Sequence, residues 1–127
     1  MMWDYHVILV FTHDSNSLVF DLDTKLPFPV SFERYCEETF GDEATIMEKF
    51  HRKFRVISGA EFLTSFSSDR RHMKDKDGKW MKPPPSWSCI RGCSDSEHNL
   101  ESFISMEETT GVGQVCNLQT FIQKFTF

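Results

Sequence analysis

One histidine and two aspartates stand where an imidazole and a carboxylate can act together. His6 lies in a run of β-branched and aromatic residues, and Asp21 and Asp23 end a second such run. A carboxylate that bonds one imidazole nitrogen orients the ring as a general base, as it does beside the nucleophile of a catalytic triad. The pattern fits equally well a half-buried structural histidine with acids that begin a turn, so both interpretations stay open at this point.

The two runs predict a β-hairpin over residues 4–24. The turn formers between them are centred on Asp14 and Ser15. A turn at this centre places His6 directly opposite Asp23, with Asp21 one diagonal step away on the same face. Either acid can then reach the imidazole, whereas a register slip of one residue would turn both acids to the other face.

A triad also needs a nucleophile, and the candidate thiol nearest to the hairpin in sequence has unsuitable surroundings. Cys36 lies on the apolar face of a helix predicted from the cap residue Ser31 to Gly41. A reactive thiolate needs a cation or a helix N-terminus beside it, but Glu37 and Glu38 follow Cys36. We therefore predict a buried structural thiol at this position.

The remaining patterns predict short helices and strands without regular βαβ alternation, which favours the α+β class. Further helices are predicted over 42–53, from a capping box at Ser58 through residue 66, and after the caps Asn99 and Asn117, with strands at 54–58 and 114–116. We expect a single domain over 1–127, made of the hairpin, helices and short strands over 31–66, a long loop over 67–98 and C-terminal helices over 99–127.

The long loop carries two patterns that have both a functional and a structural interpretation. Basic residues over 70–82 fit a nuclear signal or a phosphate-binding patch, but the interleaved acids favour a solvated loop. The spacing of Cys89, Cys93 and His98 invites a zinc site, yet such a site needs a fourth ligand and usually has tighter spacing. Unpaired thiols in a loop are the simpler interpretation.

Composition restricts the class of protein further. The 127 residues with 13 phenylalanines are typical of one packed domain, and a net charge of −5 argues against nucleic acid as a partner. The sequence shows no signal peptide and no apolar run of transmembrane length, so no membrane partner is expected. Four cysteines in such a chain favour free thiols in a cytosolic or nuclear protein.

Several motifs together resemble the protein N-terminal glutamine amidohydrolase family. They are Trp-Asp-Tyr-His-Val at 3–7, Asp-Leu-Asp-Thr at 21–24, Leu-Pro-Phe-Pro at 26–29, and the segments 52–57, 68–70, 72–75, 83–85, 99–100 and 103–106. The resemblance runs nearly end to end. It implies a papain- or transglutaminase-like cysteine hydrolase fold with a Cys-His-Asp triad and no metal or other cofactor. His6 and Asp21 match the catalytic histidine and aspartate, which makes Asp23 a structural neighbour.

The resemblance also implies an activity, but this sequence departs from the family pattern at the nucleophile. The reaction would be hydrolysis of the side-chain amide of N-terminal glutamine in proteins and peptides, which gives N-terminal glutamate and ammonia. The enzyme would act in the N-degron pathway, as a monomer in the cytoplasm and nucleus. The family's nucleophilic cysteine lies upstream of the histidine motif in a Cys-Glu-Glu-Asn segment, which this sequence lacks. We therefore expect the C-terminal part of a larger domain, incomplete at its N-terminus and inactive alone; an inactive truncated isoform or incomplete gene model is the alternative.

Overall fold

Short strands and short helices make up the fold, and among the described residues the strands form two small sheets. The computed structural model describes residues 5–41, 46–47, 51–92 and 96–127. The sheets have the strand orders β1-β2-β3 and β4-β5, a mixed α and β architecture compatible with the predicted α+β class. In chain order the elements are β1 (Leu9–His13), β2 (Asn16–Phe20), β3 (Val30–Ser31), α1 (Phe32–Thr39), β4 (Lys53–Val56), α2 (Gly59–Ser65), a 3-10 helix (Arg71–Met73), α3 (Leu100–Ile104), β5 (Gln114–Asn117) and α4 (Leu118–Phe125).

The hairpin of β1 and β2 has the register that its turn predicts. His13 pairs with Asn16 in an antiparallel ladder, so the loop is the dipeptide Asp14-Ser15. Both loop residues have positive φ, 50° and 63°, as in a type I′ turn, whose twist matches that of the flanking strands. Asn16 supports the turn by donating its side-chain amide to Asp14 O at 3.2 Å.

The ladder is shorter than the hairpin predicted over residues 4–24. It begins at Leu9 and ends at Phe20, so the prediction of strand structure at residues 5–8 and 21–24 is wrong; residues 3 and 4 lie outside the described residues. After Phe20 the Asp21 carboxylate accepts the amide N–H of Asp23 at 2.9 Å. This local bond competes with a strand ladder and turns the chain away from it.

Helix α1 follows β3 directly and begins as predicted. The Ser31 hydroxyl accepts the Arg34 amide at 3.3 Å as an N-terminal cap. Gly41, with φ of 62°, lies just beyond the helix in the left-handed conformation that commonly ends helices. The second helix predicted over 42–53 falls mostly outside the described residues, and Lys53 at its end belongs to β4.

The chain divides into two compact units, Met1–Phe54 with Cys116–Phe127, and Arg55–Val115. Helices α1 and α4 supply the aromatic core of the first unit. Phe121 of α4 stacks on Phe54 with ring centroids 4.1 Å apart, and it meets Phe32 of α1 edge-on at 5.4 Å. This core buries one face of α1, including Tyr35.

Helix α4 is fixed at both ends within the first unit. Asn117 accepts the Thr120 amide at 2.8 Å, which confirms the predicted N-terminal cap. At the other end the Phe125 carbonyl accepts the hydroxyl of Ser17 in β2 at 2.8 Å. One of the carbonyls left over at the C-terminus of the helix is therefore satisfied by the hairpin.

Helix α2 opens the second unit and begins at the predicted capping residue. The Ser58 hydroxyl accepts the Glu61 amide at 3.1 Å. On α2 and just after it, Phe62 and Phe66 pack ring to ring at 4.7 Å. Phe103 of α3 meets both rings, at 5.7 and 5.2 Å. These three rings provide an apolar contact between α2 and α3.

Asn99 precedes α3 as predicted, but its side chain does not cap that helix. Instead it accepts the Ser67 amide at 2.8 Å and donates to Ser65 O at 2.8 Å. The predicted cap is therefore wrong, because these long-range bonds use the amide that a cap would need. The helix is also short and ends at Ile104, so Met106 lies beyond it.

Arg55 ties down the segment that follows α3. Its guanidinium donates to Ser105 O at 2.9 and 2.6 Å, to Glu107 O at 3.0 Å, and to Thr110 O and Val112 O at 3.0 and 2.9 Å. One planar cation thus satisfies four carbonyls of one loop, which its five N–H donors allow.

Three basic residues of the 67–98 loop have partners within the loop. Arg71 forms a 2.6 Å ion pair with Asp69, and Lys74 lies over the ring of Trp80 at 4.8 Å. Arg70 donates to the carbonyls of residues 87 and 88. These contacts support the solvated-loop interpretation of this basic run. In the described ranges, no helix combines the length and apolar character that crossing a bilayer requires.

Candidate active site

His6 and Asp21 meet at the open end of the hairpin. Imidazole Nε2 lies 2.9 Å from Asp21 Oδ1. Continuing the β1–β2 register places residue 6 opposite residue 23, as the sequence predicted, and leaves Asp21 on the same face. Asp21, the acid in the diagonal position, is closer to the imidazole than Asp23, because the turn after Phe20 brings its carboxylate back toward the ring.

Asp21 is almost completely buried and accepts three hydrogen bonds. Oδ1 receives His6 and the amide of Asp23, both at 2.9 Å, and Oδ2 receives the Tyr35 hydroxyl at 2.6 Å. Burial by itself would raise the pKa of Asp21, but the hydrogen bonds from Tyr35, Asp23 and His6 outweigh it and hold this pKa below its ordinary value. The carboxylate is therefore ionised at neutral pH.

The ionised carboxylate fixes the imidazole tautomer. A carboxylate without a proton can only accept, so the Nε2–H of His6 donates to Asp21. In the neutral ring Nδ1 then carries the lone pair, which is the atom that can take up a proton. Asp23 Oδ2 lies 3.6 Å from Nδ1, which is too far for a good hydrogen bond.

Tyr35 is a site residue that the sequence analysis missed. Its spacing in the sequence fits an apolar position of α1, yet its hydroxyl makes the shortest bond to Asp21. Burial raises the pKa of Tyr35, and the bond to the Asp21 carboxylate raises it further. A buried tyrosine needs a partner for its hydroxyl, and that requirement was the signal available in the sequence.

The three residues His6, Asp21 and Asp23 also offer ligand atoms within 4.8 Å of one another, a spacing that a metal ion can bridge. However, both oxygens of Asp21 already accept hydrogen bonds from protein donors. The arrangement therefore suits an oriented imidazole better than a three-ligand metal centre.

The cysteines fall into different environments. Cys36 is buried on α1, and burial together with the charge of Glu37 raises its pKa to about 11, so it has almost no thiolate at neutral pH. Of the suggested zinc ligands, Cys89 is half-buried, Cys93 lies outside the described residues, and His98 Nδ1 lies 3.4 Å from Asp69 Oδ1. The zinc interpretation stays a hypothesis.

We expect Tyr35→Phe to lower the free energy of unfolding by about 2 kcal/mol at pH 7, the size of a hydrogen bond to a charged group. Because the folded state raises the pKa of Tyr35, this contribution is complete below about pH 10 and is lost as the pH rises above that value. Urea unfolding at pH 7 and pH 10.5 measures both effects.

The matched control for this prediction is Tyr5→Phe, which removes an exposed hydroxyl and should change stability by less than about 0.5 kcal/mol. An equal loss in both variants, or a difference between wild type and Tyr35→Phe that persists unchanged at alkaline pH, would contradict the role given to this hydrogen bond.

The structure thus combines a mixed α and β fold with a pair of a half-buried histidine and a buried carboxylate between a hairpin and a helix. Comparison with known families matches residues 1–125 to a family described as N-terminal glutamine amidase. The chain belongs to this family.

Curated relatives carry the name protein N-terminal glutamine amidohydrolase. The chain is 46% identical to the relative from Bos taurus over 127 residues, 44% to that from Homo sapiens over 126, and 47% to that from Drosophila melanogaster over 126. Each match covers 98 or 99% of this chain but 61% of the relative. The chain therefore spans about three fifths of the length of these relatives.

Proposed function

We propose that this chain carries the histidine–aspartate part of a site that hydrolyses the side-chain amide of N-terminal glutamine, giving N-terminal glutamate and ammonia. The observation that carries the proposal is the 2.9 Å contact between His6 and the buried Asp21 in a chain that belongs to this family. The names of the relatives supply the substrate, proteins and peptides that begin with glutamine.

In the proposed reaction a thiol attacks the carboxamide carbon while His6 Nδ1 takes the thiol proton. The C–N bond then breaks, and the imidazolium gives the proton to the departing ammonia. Water attacks the thioester, the thiol is released, and the glutamine side chain has become a carboxylate. The imidazole transfers protons in both steps, and no cofactor is required.

Asp21 and Tyr35 would act on the imidazole and not on the substrate. The Asp21 carboxylate keeps the proton on Nε2 and stabilises the imidazolium that forms during the reaction. Tyr35 holds the second carboxylate oxygen and thereby restricts the rotation of Asp21. Both are positioning residues for His6.

The nucleophile would come from the family's Cys-Glu-Glu-Asn segment and not from Cys36. The Cys36 thiol is buried and its pKa is about 11, opposite to what a thiolate nucleophile requires. For this reason we propose that the 127-residue chain releases no ammonia by itself. The same observation supports the second candidate, a non-catalytic protein that acts only by binding.

The remaining expectations extend the proposal. A papain- or transglutaminase-like arrangement would place the nucleophile on a helix opposite His6. The resemblance supports a monomer acting in the cytoplasm and nucleus. Nothing in the proposed chemistry calls for nucleic acid, a membrane or a metal ion.

A chimera tests this function directly. The stretch of the Bos taurus relative that matches this chain is replaced by residues 1–127, and ammonia release is measured with peptides that begin with glutamine or asparagine. We expect release from the glutamine peptide only, and none from the same chimera carrying His6→Ala. The isolated chain serves as the second arm and should release none.

Two results would contradict the proposal. A folded chimera without activity would mean that His6 and Asp21 do not serve this reaction and would favour the non-catalytic candidate. Release by the isolated chain that Cys36→Ala abolishes would restore Cys36 as the nucleophile.

A further inference from the structure

The two faces of the β1–β2 hairpin are both apolar, but only one of them is covered by the described residues. On the covered face Val19 is fully buried and Val10 is half-buried. On the opposite face Val7, Leu9 and Phe11 are 72, 58 and 51% exposed. We call this second face, formed by Val7, Leu9, Phe11, Leu18 and Phe20, the outer hairpin face.

The outer hairpin face is unusual for a sheet surface in water. An antiparallel sheet with one solvated side normally alternates apolar and polar residues, whereas apolar residues on both sides are typical of strands covered on both sides. The cross-strand pairs Leu9 with Phe20 and Phe11 with Leu18 join the exposed side chains of β1 and the half-buried side chains of β2 into one patch. Contiguous exposed apolar patches of this kind mark interaction surfaces.

Strand β1 is also an unprotected edge. In the part of the chain that the structure describes, β1 pairs with β2 alone, so alternate N–H and C=O groups of β1 point away from the sheet. Proteins usually protect such an edge with a charge, a proline or a bulge. Residues 7–12 contain no charged residue and no proline, so nothing in this stretch of sequence opposes a polypeptide lying along β1.

The outer hairpin face continues beyond the two strands to Phe28, in the segment that follows Asp21 and Asp23. Phe28 packs edge-on against Phe20 at 5.4 Å and is itself more than half exposed. At its other end the patch reaches Val7, whose neighbour in the chain is His6. A polypeptide on the outer hairpin face would therefore cover the residue next to His6 in sequence, while the imidazole belongs to the opposite face of the hairpin register.

We propose that the outer hairpin face is the docking surface for the portion of the family domain that this chain does not span. The matches cover 98 or 99% of this chain and still leave about two fifths of the relatives' length outside them. That portion is long enough to supply a layer over a two-stranded patch. The proposal depends on family membership and not on the proposed amide hydrolysis, because docking can be measured as binding.

The experiment combines this chain with the portion of the Bos taurus relative that lies outside the match. The two polypeptides are produced together, the chain is purified through a tag, and the stoichiometry and affinity of the complex are measured by sedimentation and calorimetry. We expect a one-to-one complex. Leu9→Glu and Phe11→Glu should weaken it at least about tenfold, because docking would bury a charge in place of an apolar side chain.

Leu63→Glu is the matched control. Leu63 lies on α2 in the second unit and is 65% exposed, close to the 58% of Leu9, so the same change of charge is made at a residue that does not belong to the outer hairpin face. We expect it to leave the affinity unchanged. Circular dichroism of each variant verifies folding, and a photo-crosslinker placed at Val7 reports contact without adding a charge to the patch.

Each other outcome overturns the proposal. The absence of a complex, equal binding by Leu9→Glu and Leu63→Glu, or no crosslink from Val7 would show that the face has a different role. A homodimer of the chain that Leu9→Glu breaks and the added polypeptide does not displace would assign the face to a second copy. An active chimera without a complex would overturn the docking while leaving the proposed function intact.

Discussion

In the active chimera, Asp21→Asn is expected to lower kcat about 10⁴-fold, the loss known for replacing a triad carboxylate by its amide. The asparagine side chain would still fill the buried site and can accept from Tyr35, so the fold should be retained. However, its amide group cannot hold the proton on His6 Nε2 and stabilise the imidazolium as a carboxylate does. Steady-state kinetics with a glutamine-terminated peptide measure the change, and KM should move much less than kcat.

Asp23→Asn is the control, because Asp23 is the other acid near the same imidazole. Its Oδ2 lies 3.6 Å from Nδ1 and its side chain is 65% exposed, so water screens its charge. We expect less than about a tenfold loss of kcat from this exposed charge. A larger loss for Asp23→Asn than for Asp21→Asn would reverse the two roles and would contradict the assignment made from the buried contact.

The second large effect concerns stability in the other unit. Arg55→Ala should lower the free energy of unfolding by about 3 kcal/mol, because charge-assisted hydrogen bonds to several carbonyls are lost together. Five hydrogen bonds join this guanidinium to four carbonyls, and their energies are not additive. Chemical denaturation measures the loss, and hydrogen exchange should increase in residues 105–112.

Arg34→Ala provides the comparison for Arg55. Arg34 makes an exposed bond to Glu38 one helical turn away, at 3.4 Å, a pair worth about 0.3–0.5 kcal/mol. Arg55→Lys should recover only part of the loss, since an ammonium group cannot reach carbonyls in several directions. If both alanine variants lost the same small amount, the loop would not depend on Arg55.

The register of the hairpin was predictable because it depends on local information. The two adjacent turn formers set the strand pairing, and this pairing places His6, Asp21 and Asp23 on one face. Which of the two acids bonds the imidazole could not be predicted from local sequence. It depends on the turn after Phe20 and on the Tyr35 hydroxyl, which is 14 residues from Asp21 along the chain.

Helix caps show the same division between local and long-range information. Ser31, Ser58 and Asn117 cap the helices that follow them, because each needs only an amide three residues ahead. Asn99 has the same sequence context, but its amide bonds Ser67, which is 32 residues away. A pattern within one helix cannot reveal a partner at that distance.

The contact between Ser17 and the Phe125 carbonyl has a consequence for the order of events during synthesis. These two residues are separated by 108 positions, and the unit that holds the histidine–carboxylate pair is completed by Cys116–Phe127. A ribosome therefore delivers the hairpin early and its supporting helix only after the entire second unit has emerged. The second unit is continuous in sequence and can form first, whereas the first must close a very long loop. Until α4 has been synthesised, Phe32 and Phe54 lack their partner Phe121. The aromatic core that supports His6 and Asp21 is then incomplete.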